Sequence, residues 1–169
     1  MNNLIAGNEK ETLAQRAIED QGFVVHNANI VFRHNCRNID LIVYSKTGAT
    51  YIQVKSSSKP AGHNSVLIEG SPWTQEQLYQ SAPIFNKHDG FHASFVVIVD
   101  TSKTRDPAFY VAPPNELERL VRSAGLEFAK KPKKDMTERS IKFRKELPKS
   151  VLEKWRGAWY LLGDPISHL

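Results

Sequence analysis

Asp40, Gln53 and Lys55 are the residues of this chain whose types and spacing best fit a reaction centre. All three belong to segment 38–55, which alternates apolar and polar residues on both sides of a glycine-containing turn and so predicts a β-hairpin. Gln53 and Lys55 share one face of the second strand, because strand side chains alternate with period two. Carboxylate and amide oxygens are ligands for a hard divalent cation, and an amine beside them can activate water or hold charge. The pattern predicts a metal site suited to phosphodiester cleavage.

The expected pairing of the two strands adds a further oxygen ligand. Folding the hairpin about Thr47 predicts that Asp40 lies level with Val54 and Lys55. The backbone carbonyl of Val54 then joins the candidate ligands. Plainer roles stay open for two of these residues: Asp40 as a partly exposed strand end that is ion-paired with Lys55, and Lys55 as a charge that deters sheet aggregation at an edge strand.

A family resemblance rests on the same residues. Asp40, twelve intervening residues and then Gln53-Val54-Lys55 resemble the PD-(D/E)xK nuclease motif, in which an Asp precedes a Glu-x-Lys triplet on a hairpin. The resemblance spans roughly residues 8–100 and is closest in shape to small archaeal-type Holliday junction resolvases and restriction-like endonucleases. It implies an α/β fold with an αβββαβ core, in which helices flank a mixed central sheet. Ile39 stands where the motif has Pro, and Gln53 stands where the family usually has an acid.

The resemblance also implies a further carboxylate from the helix before the hairpin, for which Glu11 is the candidate. Glu11, Ala14 and Ile18 are spaced i, i+3 and i+7, so Glu11 is expected at the margin of the buried helix face. The alternative is structural: Glu11 lies three residues after Asn8, which is the spacing of a capping box at a helix N-terminus. Gly22 is expected to end this helix.

Two functions follow as expectations. The first is a Mg²⁺-dependent endodeoxyribonuclease, with Mn²⁺ as a substitute, in which Glu11, Asp40, Gln53 and Val54 hold the cation and Lys55 activates water. The second is a catalytically inactive protein of the same fold that acts as a DNA-binding or assembly module. The neutral side chain of Gln53 favours the second function, and the retained Glu11, Asp40 and Lys55 favour the first.

Positive charge is concentrated near the C-terminus. Residues 1–128 hold 12 Lys and Arg against 13 Asp and Glu, whereas residues 129–156 hold 11 against 4. This asymmetry predicts either a contact surface for a polyanion, with DNA as the partner, or a solvated basic stretch without a ligand. The candidates for DNA contact combine this stretch with the loop and helix that follow the hairpin: Ser57, Lys59, Gln77, Lys130, Lys131, Lys133 and Lys134.

Length and periodicity predict one domain, 1–169, with a nuclease-like core over 1–128 and a basic segment plus a C-terminal helix, packed back on the core, over 129–169. Apolar residues recur at helical spacing from Val151 to Leu162. The remaining patterns predict strands at 23–27, 66–68, 94–100 and 109–111, and helices at 74–85 and from Asn115 to near Gly125.

The composition of the chain gives an expectation for where in the cell the protein is found. A single cysteine, Cys36, excludes an internal disulfide and a thiolate zinc cluster, which favours a cytoplasmic location. The longest apolar run, 95–99, is too short to span a membrane, and the N-terminus does not have the pattern of a secretory signal. A homodimer is compatible with the sequence.

Overall fold

The structure is a computed structural model, and it describes residues 2–33, 35–57, 63–68, 83–102, 106–130 and 146–166. Its helices are α1 (Asn2–Glu19), α2 (Ala28–Val31), α3 (Pro114–Lys130) and α4 (Lys149–Leu152). Its strands are β1 (Val24–Asn27), β2 (Leu41–Ser45), β3 (Gly48–Ser57), β4 (Ser65–Leu67), β5 (Phe95–Asp100), β6 (Ala108–Ala112) and β7 (Glu146–Pro148). Two short 3₁₀ turns, Glu153–Trp155 and Trp159–Leu162, follow α4. No helix in these ranges is long and apolar enough to cross a membrane.

A mixed five-stranded sheet organises the fold in the order β1-β2-β3-β5-β6. The pairs β1–β2, β2–β3 and β5–β6 are antiparallel, whereas β3 and β5 are parallel. Strand β3, which carries Gln53 and Lys55, is therefore the central strand of the sheet. The expected α/β class, with a mixed central sheet and flanking helices, is confirmed.

Each face of the sheet has its own apolar core. Helix α1 covers one face through Ala14 and Ile18, which pack with Ile52, Val54 and the neighbouring strands. The other face of β5 and β6 packs against α3 and the C-terminal segment. Residues 96–100 are buried throughout, as expected for a strand covered on both faces. Strand β3, which carries the candidate site, is covered by α1 on the face of Ile52 and Val54.

The hairpin is tighter than the sequence pattern predicted. Ser45 pairs with Gly48, so only Lys46 and Thr47 form the turn, and Gly48 adopts a φ of +135°. Leu41 pairs with Ile52. Extending this register by one residue places Asp40 opposite Gln53. The predicted alignment of Asp40 with Val54 and Lys55 is therefore wrong, because it assumed a longer turn.

Three helix boundaries differ from the predictions. Helix α1 begins at Asn2, so Asn8 lies inside the helix and does not cap it. Helix α3 continues through Gly125 to Lys130, since its apolar face stays packed on the sheet beyond the glycine. Residues 83–85 are not helical, and the rest of the helix predicted at 74–85 lies outside the described residues.

The C-terminal segment packs on the sheet as short pieces in place of one helix. Leu152, Trp155 and Leu162 are buried, as the apolar stripe predicted, but Trp159 is only partly buried and Val151 is exposed. The helix breaks near Gly157, which has a φ of +58° and donates its N–H to the carbonyl of Phe109 on the edge strand β6. Pairing with the sheet edge thus replaces helical hydrogen bonds. The division of the chain at residue 128 stays a prediction.

A second small sheet, β4 with β7, connects this segment to the core. Beside it, Lys149 Nζ lies 2.7 Å from Asp100 Oδ2 and donates to Ser102 Oγ at 2.9 Å. The Asp100 side chain is fully buried, and the Lys149 and Ser102 hydrogen bonds hold the pKa of its carboxyl below the ordinary value although burial alone would raise it. Removing Lys149 would leave a buried charge without its partner, which is a strongly destabilising change.

Candidate active site

The side chain of Asp40 makes the last hydrogen bond at this end of the β2–β3 pair. Its backbone N–H donates to the Ile52 carbonyl at 2.8 Å, and its Oδ2 accepts the Val54 N–H at 2.6 Å. The carboxylate is therefore fixed against the central strand by a charge-assisted hydrogen bond. Burial raises the pKa of Asp40, while the Val54 hydrogen bond and the positive charge of Lys55 lower it in part.

Lys55 lies on the same strand face as Gln53, by the alternation of β3. Burial lowers the pKa of the Lys55 ammonium. The charge of Asp40 opposes this shift, and the like charge of Lys87 adds to it. A lysine with a lowered pKa gives up its proton more readily than a surface lysine, so it is suited to accept a proton from water.

Glu11 reaches the same neighbourhood from helix α1. Ala14 and Ile18, on the same helix face, are fully buried, and Glu11 is half-buried at the margin of that face. Burial raises the pKa of Glu11, and the negative charge of Asp40 raises it further. The structure therefore brings Glu11, Asp40 and Lys55 within electrostatic range, and Asp40 is the group that interacts with both of the others.

Gln53 has the least satisfied side chain of the site. It is 6% exposed, and its Oε1 is buried without a hydrogen-bond partner among the described residues. An unsatisfied buried oxygen costs about 1–3 kcal/mol, and such atoms are rare in native structures. An oxygen of this kind, directly across from Asp40, fits a ligand for a divalent cation.

The candidate donor set consists of the carboxylates of Glu11 and Asp40 and the amide oxygen of Gln53. Because Ile52 and Val54 pack against α1 and strand side chains alternate, Gln53 points to the sheet face opposite to the one that α1 covers. Glu11 and Gln53 therefore lie on different sides of the sheet, with Asp40 at the strand end between them. Among the described residues, no group of three or more His, Cys, Asp or Glu side chains is arranged to hold a metal ion. The set is compatible with a cation that keeps several of its waters, since such a cation needs only one or two carboxylates from the protein.

Of the predicted DNA-contact residues, the structure describes Ser57 and Lys130. Ser57 is fully buried at the end of β3, so its hydroxyl cannot contact a phosphate, and its assignment to the DNA surface is corrected. Lys130 is the last residue of α3. The remaining ones lie outside the described residues: Lys59, Gln77, Lys131, Lys133 and Lys134.

Two residues near the site were missed by sequence reasoning. Lys87 acts electrostatically on Lys55, and Cys36 on the loop before β2 lies close enough to Asp40 for the carboxylate to raise its pKa, in addition to a larger effect of burial. Lys87 is 32 residues from Lys55 in the chain, and no spacing rule connects them. Only the proximity of Cys36 to Asp40 in the sequence could have suggested its place.

Comparison with known proteins gives little beyond this geometry. No family model matches the chain, and no curated protein matches it. Among solved structures, the bacterial homing endonuclease I-Ssp6803I is similar, with 18% sequence identity and a TM-score of 0.45. The match covers 90% of this chain and 87% of that chain. The likeness is distant, and the assignment of function rests on the residues of this chain.

Replacing Gln53 with glutamate tests its place beside the cation. Without metal, Gln53→Glu should lower the melting temperature, because a further carboxylate is then buried opposite Asp40. With Mn²⁺, the variant should show a larger metal-induced rise than the parent, because a charged oxygen binds the cation more strongly. Thermal melts with and without Mn²⁺ measure both effects. The control is Gln21→Glu at an exposed position; equal metal responses in the parent and in Gln53→Glu would remove Gln53 from the ligands.

The raised pKa of Glu11 makes a second prediction, on stability. A carboxyl with a raised folded-state pKa stabilises the fold below its unfolded pKa, and this contribution is lost as the pH rises through the raised value. At neutral pH without metal, Glu11→Gln should therefore raise the free energy of unfolding by roughly 0.5–1 kcal/mol, since solvent screens a half-buried group. Melts from pH 4 to 8 should show this gain only at the upper end. Exposed Glu9 on the same helix supplies the control Glu9→Gln; a gain that persists at pH 4 would contradict the electrostatic cause.

Proposed function

We propose that this protein is a metal-dependent endodeoxyribonuclease that hydrolyses DNA phosphodiester bonds. The observation that carries the proposal is that Asp40 lies opposite Gln53 on the neighbouring strand. Lys55 lies on the same face of the central strand as Gln53. Glu11, Asp40 and Gln53 would hold Mg²⁺ or Mn²⁺, which supplies Lewis-acid stabilisation of the charge on the phosphate. The Val54 carbonyl is a further candidate ligand.

The chain itself contributes position and proton transfer. The Val54 N–H holds the Asp40 carboxylate in one orientation. The neutral amine of Lys55 accepts a proton from the attacking water, and its ammonium form then offsets negative charge on the pentavalent phosphorus. As the new P–O bond forms, the bond from phosphorus to the leaving sugar oxygen breaks, and that oxygen takes a proton from solvent. Because β3 is the central strand of the sheet, these groups are held rigidly, which keeps the reacting atoms aligned.

A second function is favoured by one observation, the neutral Gln53 at the position where the resembled motif has an acid. In that case the protein is a catalytically inactive DNA-binding or assembly module. The test is a cleavage assay over linear, single-stranded, branched and mismatched DNA, with Mg²⁺ and with Mn²⁺. Cleavage that requires the cation and is lost in Asp40→Asn supports the nuclease, whereas tight binding of uncut DNA of every form supports the binding module.

The basic segment makes a prediction on DNA affinity. If residues 130–145 follow a phosphate backbone, replacing Lys130, Lys131, Lys133 and Lys134 with Ala should flatten the slope of log affinity against log salt by up to about four units, near 0.9 per lost contact. Fluorescence anisotropy at several salt concentrations measures the slope. A slope equal to that of the parent would place the DNA on another surface.

A homodimer is also proposed, since a single site cuts one strand at a time and two copies would cut both strands of a duplex. Light scattering of the free protein and of its DNA complex decides this. A mass of one chain in both states would exclude the dimer.

A further inference from the structure

A cavity of about 620 Å³ lies beside the Asp40 end of the hairpin. Two loops line it: residues 35–39, which lead directly into Asp40, and residues 87–91. We call this the flanking cavity. The cleavage chemistry proposed above uses none of the side chains that line it, so its construction calls for a separate explanation.

Buried hydrogen bonds fix the walls of the flanking cavity. The Asn38 side chain, 3% exposed, donates to the carbonyls of His88 at 2.5 Å and Phe91 at 3.1 Å, and it accepts the His88 N–H at 3.2 Å. Asn86 closes the second loop by donating to the Ala93 carbonyl at 3.0 Å and accepting the Ala93 N–H at 2.8 Å. The two loops are thus held together before any ligand binds, which lowers the entropic cost of binding one.

The charges of the flanking cavity suit an anion. Arg37 and Lys87 are both exposed, and within the described chain neither has an ion-pair partner. Asp89 is the one acidic side chain of the lining. A phosphate between Arg37 and Lys87 would gain two favourable charged contacts.

An aromatic ring completes the lining. Phe91 remains 54% exposed although it stacks on Phe32, with ring centroids 5.0 Å apart and planes 16° from parallel. Tyr51 supports the same ring at 5.6 Å. A rigidly supported and partly open aromatic ring is the usual platform on which a nucleic-acid base stacks.

We propose that the flanking cavity binds one nucleotide of the DNA next to the scissile phosphate, with Arg37 and Lys87 on its phosphate and Phe91 against its base. The inference rests on the proposed function, since the nucleotide is placed relative to the Asp40 site. It predicts that contacts beside the cut, and not only the metal, position the substrate strand.

The phosphate contacts are tested by binding a labelled duplex in EDTA, where no divalent cation supports cleavage. Arg37→Ala and Lys87→Ala should each flatten the slope of log affinity against log salt by about 0.9. The matched controls Arg16→Ala and Lys46→Ala change exposed cations away from the cavity and should leave the slope unchanged.

The base contact is tested with Phe91. Phe91→Ala should weaken DNA binding roughly 5- to 150-fold, the range for losing one base–aromatic stack. Phe91→Trp should retain the parent affinity, and Tyr160→Ala, at a residue 75% exposed, should have no effect. With duplexes that carry an abasic site at successive positions, one position should weaken the parent as much as Phe91→Ala does, and the variant should lose nothing more there.

The outcomes separate this site from the proposed function. If the parent cuts DNA while all cavity variants behave like their controls, the nucleotide site is wrong and the nuclease stands. If the parent binds DNA without cutting it and the cavity variants lose affinity as described, the nucleotide site stands and the nuclease does not. If the parent binds no DNA, both proposals fail.

Discussion

Lys55→Met should reduce DNA cleavage by roughly 10²-fold or more while DNA affinity stays within a few-fold of the parent. Methionine keeps much of the aliphatic stem, so the packing on the central strand should survive, and the loss of the charged head removes a group that a buried position disfavours. The contribution of Lys55 is made in the transition state, by accepting a proton and offsetting charge. Its loss therefore lowers the rate and leaves ground-state binding almost unchanged.

The pH dependence of the parent adds an independent readout. Because burial lowers the pKa of Lys55, cleavage should rise with pH as the neutral amine becomes populated, and this rise should be centred below the ordinary lysine value of 10.5. Single-turnover rates from pH 6 to 9 measure it, and Lys55→Met should lose the dependence. Lys46→Met, at the exposed hairpin turn, is the control for a lysine that takes no part. Equal rates in the parent and Lys55→Met on every DNA form would show that Lys55 is not catalytic.

The strands that carry the site were predictable because they depend on local pattern. Period-two alternation in 41–45 and 50–55 gives both arms of the hairpin and the shared face of Gln53 and Lys55. Register was less predictable, since it depends on whether the turn holds two residues or more, and a shift of one residue changes every cross-strand pair. The tight turn through Lys46 and Thr47 placed Asp40 opposite Gln53.

The features of the fold that the sequence did not predict depend on contacts between residues far apart in the chain. Asn38 binds a loop that is 50 residues away in the chain, and the separation alone gives no signal for it. Helical spacing correctly indicated that Leu152, Trp155 and Leu162 are buried, although Val151 of the same stripe is exposed. It could not show that Gly157 would bond to the sheet edge and interrupt the helix. Periodicity thus predicts which residues face inward, while partners supplied by the fold decide where each element ends.

The electrostatics of the site are unfavourable without a cation. Burial raises the pKa of both Glu11 and Asp40, and the charge of Asp40 raises the pKa of Glu11 further. The buried Oε1 of Gln53 has no hydrogen-bond partner among the described residues. Groups arranged in this way destabilise the fold slightly and gain most when a positive ion binds among them. A concentration of unfavourable electrostatic interactions at one place is typical of functional sites.

Asp40→Asn is expected to abolish the rise in melting temperature that Mg²⁺ and Mn²⁺ give the parent, and to abolish cleavage with it. Asparagine retains an oxygen that can accept the Val54 N–H, so the strand geometry is kept while the charge at the centre of the site is lost. Mn²⁺ should bind the parent more tightly than Mg²⁺, in line with the order of divalent affinities. Thermal melts and calorimetric titration with each ion measure the effect, and the exposed Asp20→Asn is the control.

In the parent, the metal response should fade on acidification at a higher pH than for ordinary carboxylates, because Glu11 and Asp40 both bind protons more readily. An unchanged Mn²⁺ response in Asp40→Asn would remove Asp40 from the ligands and, with it, the metal site proposed between β2 and β3.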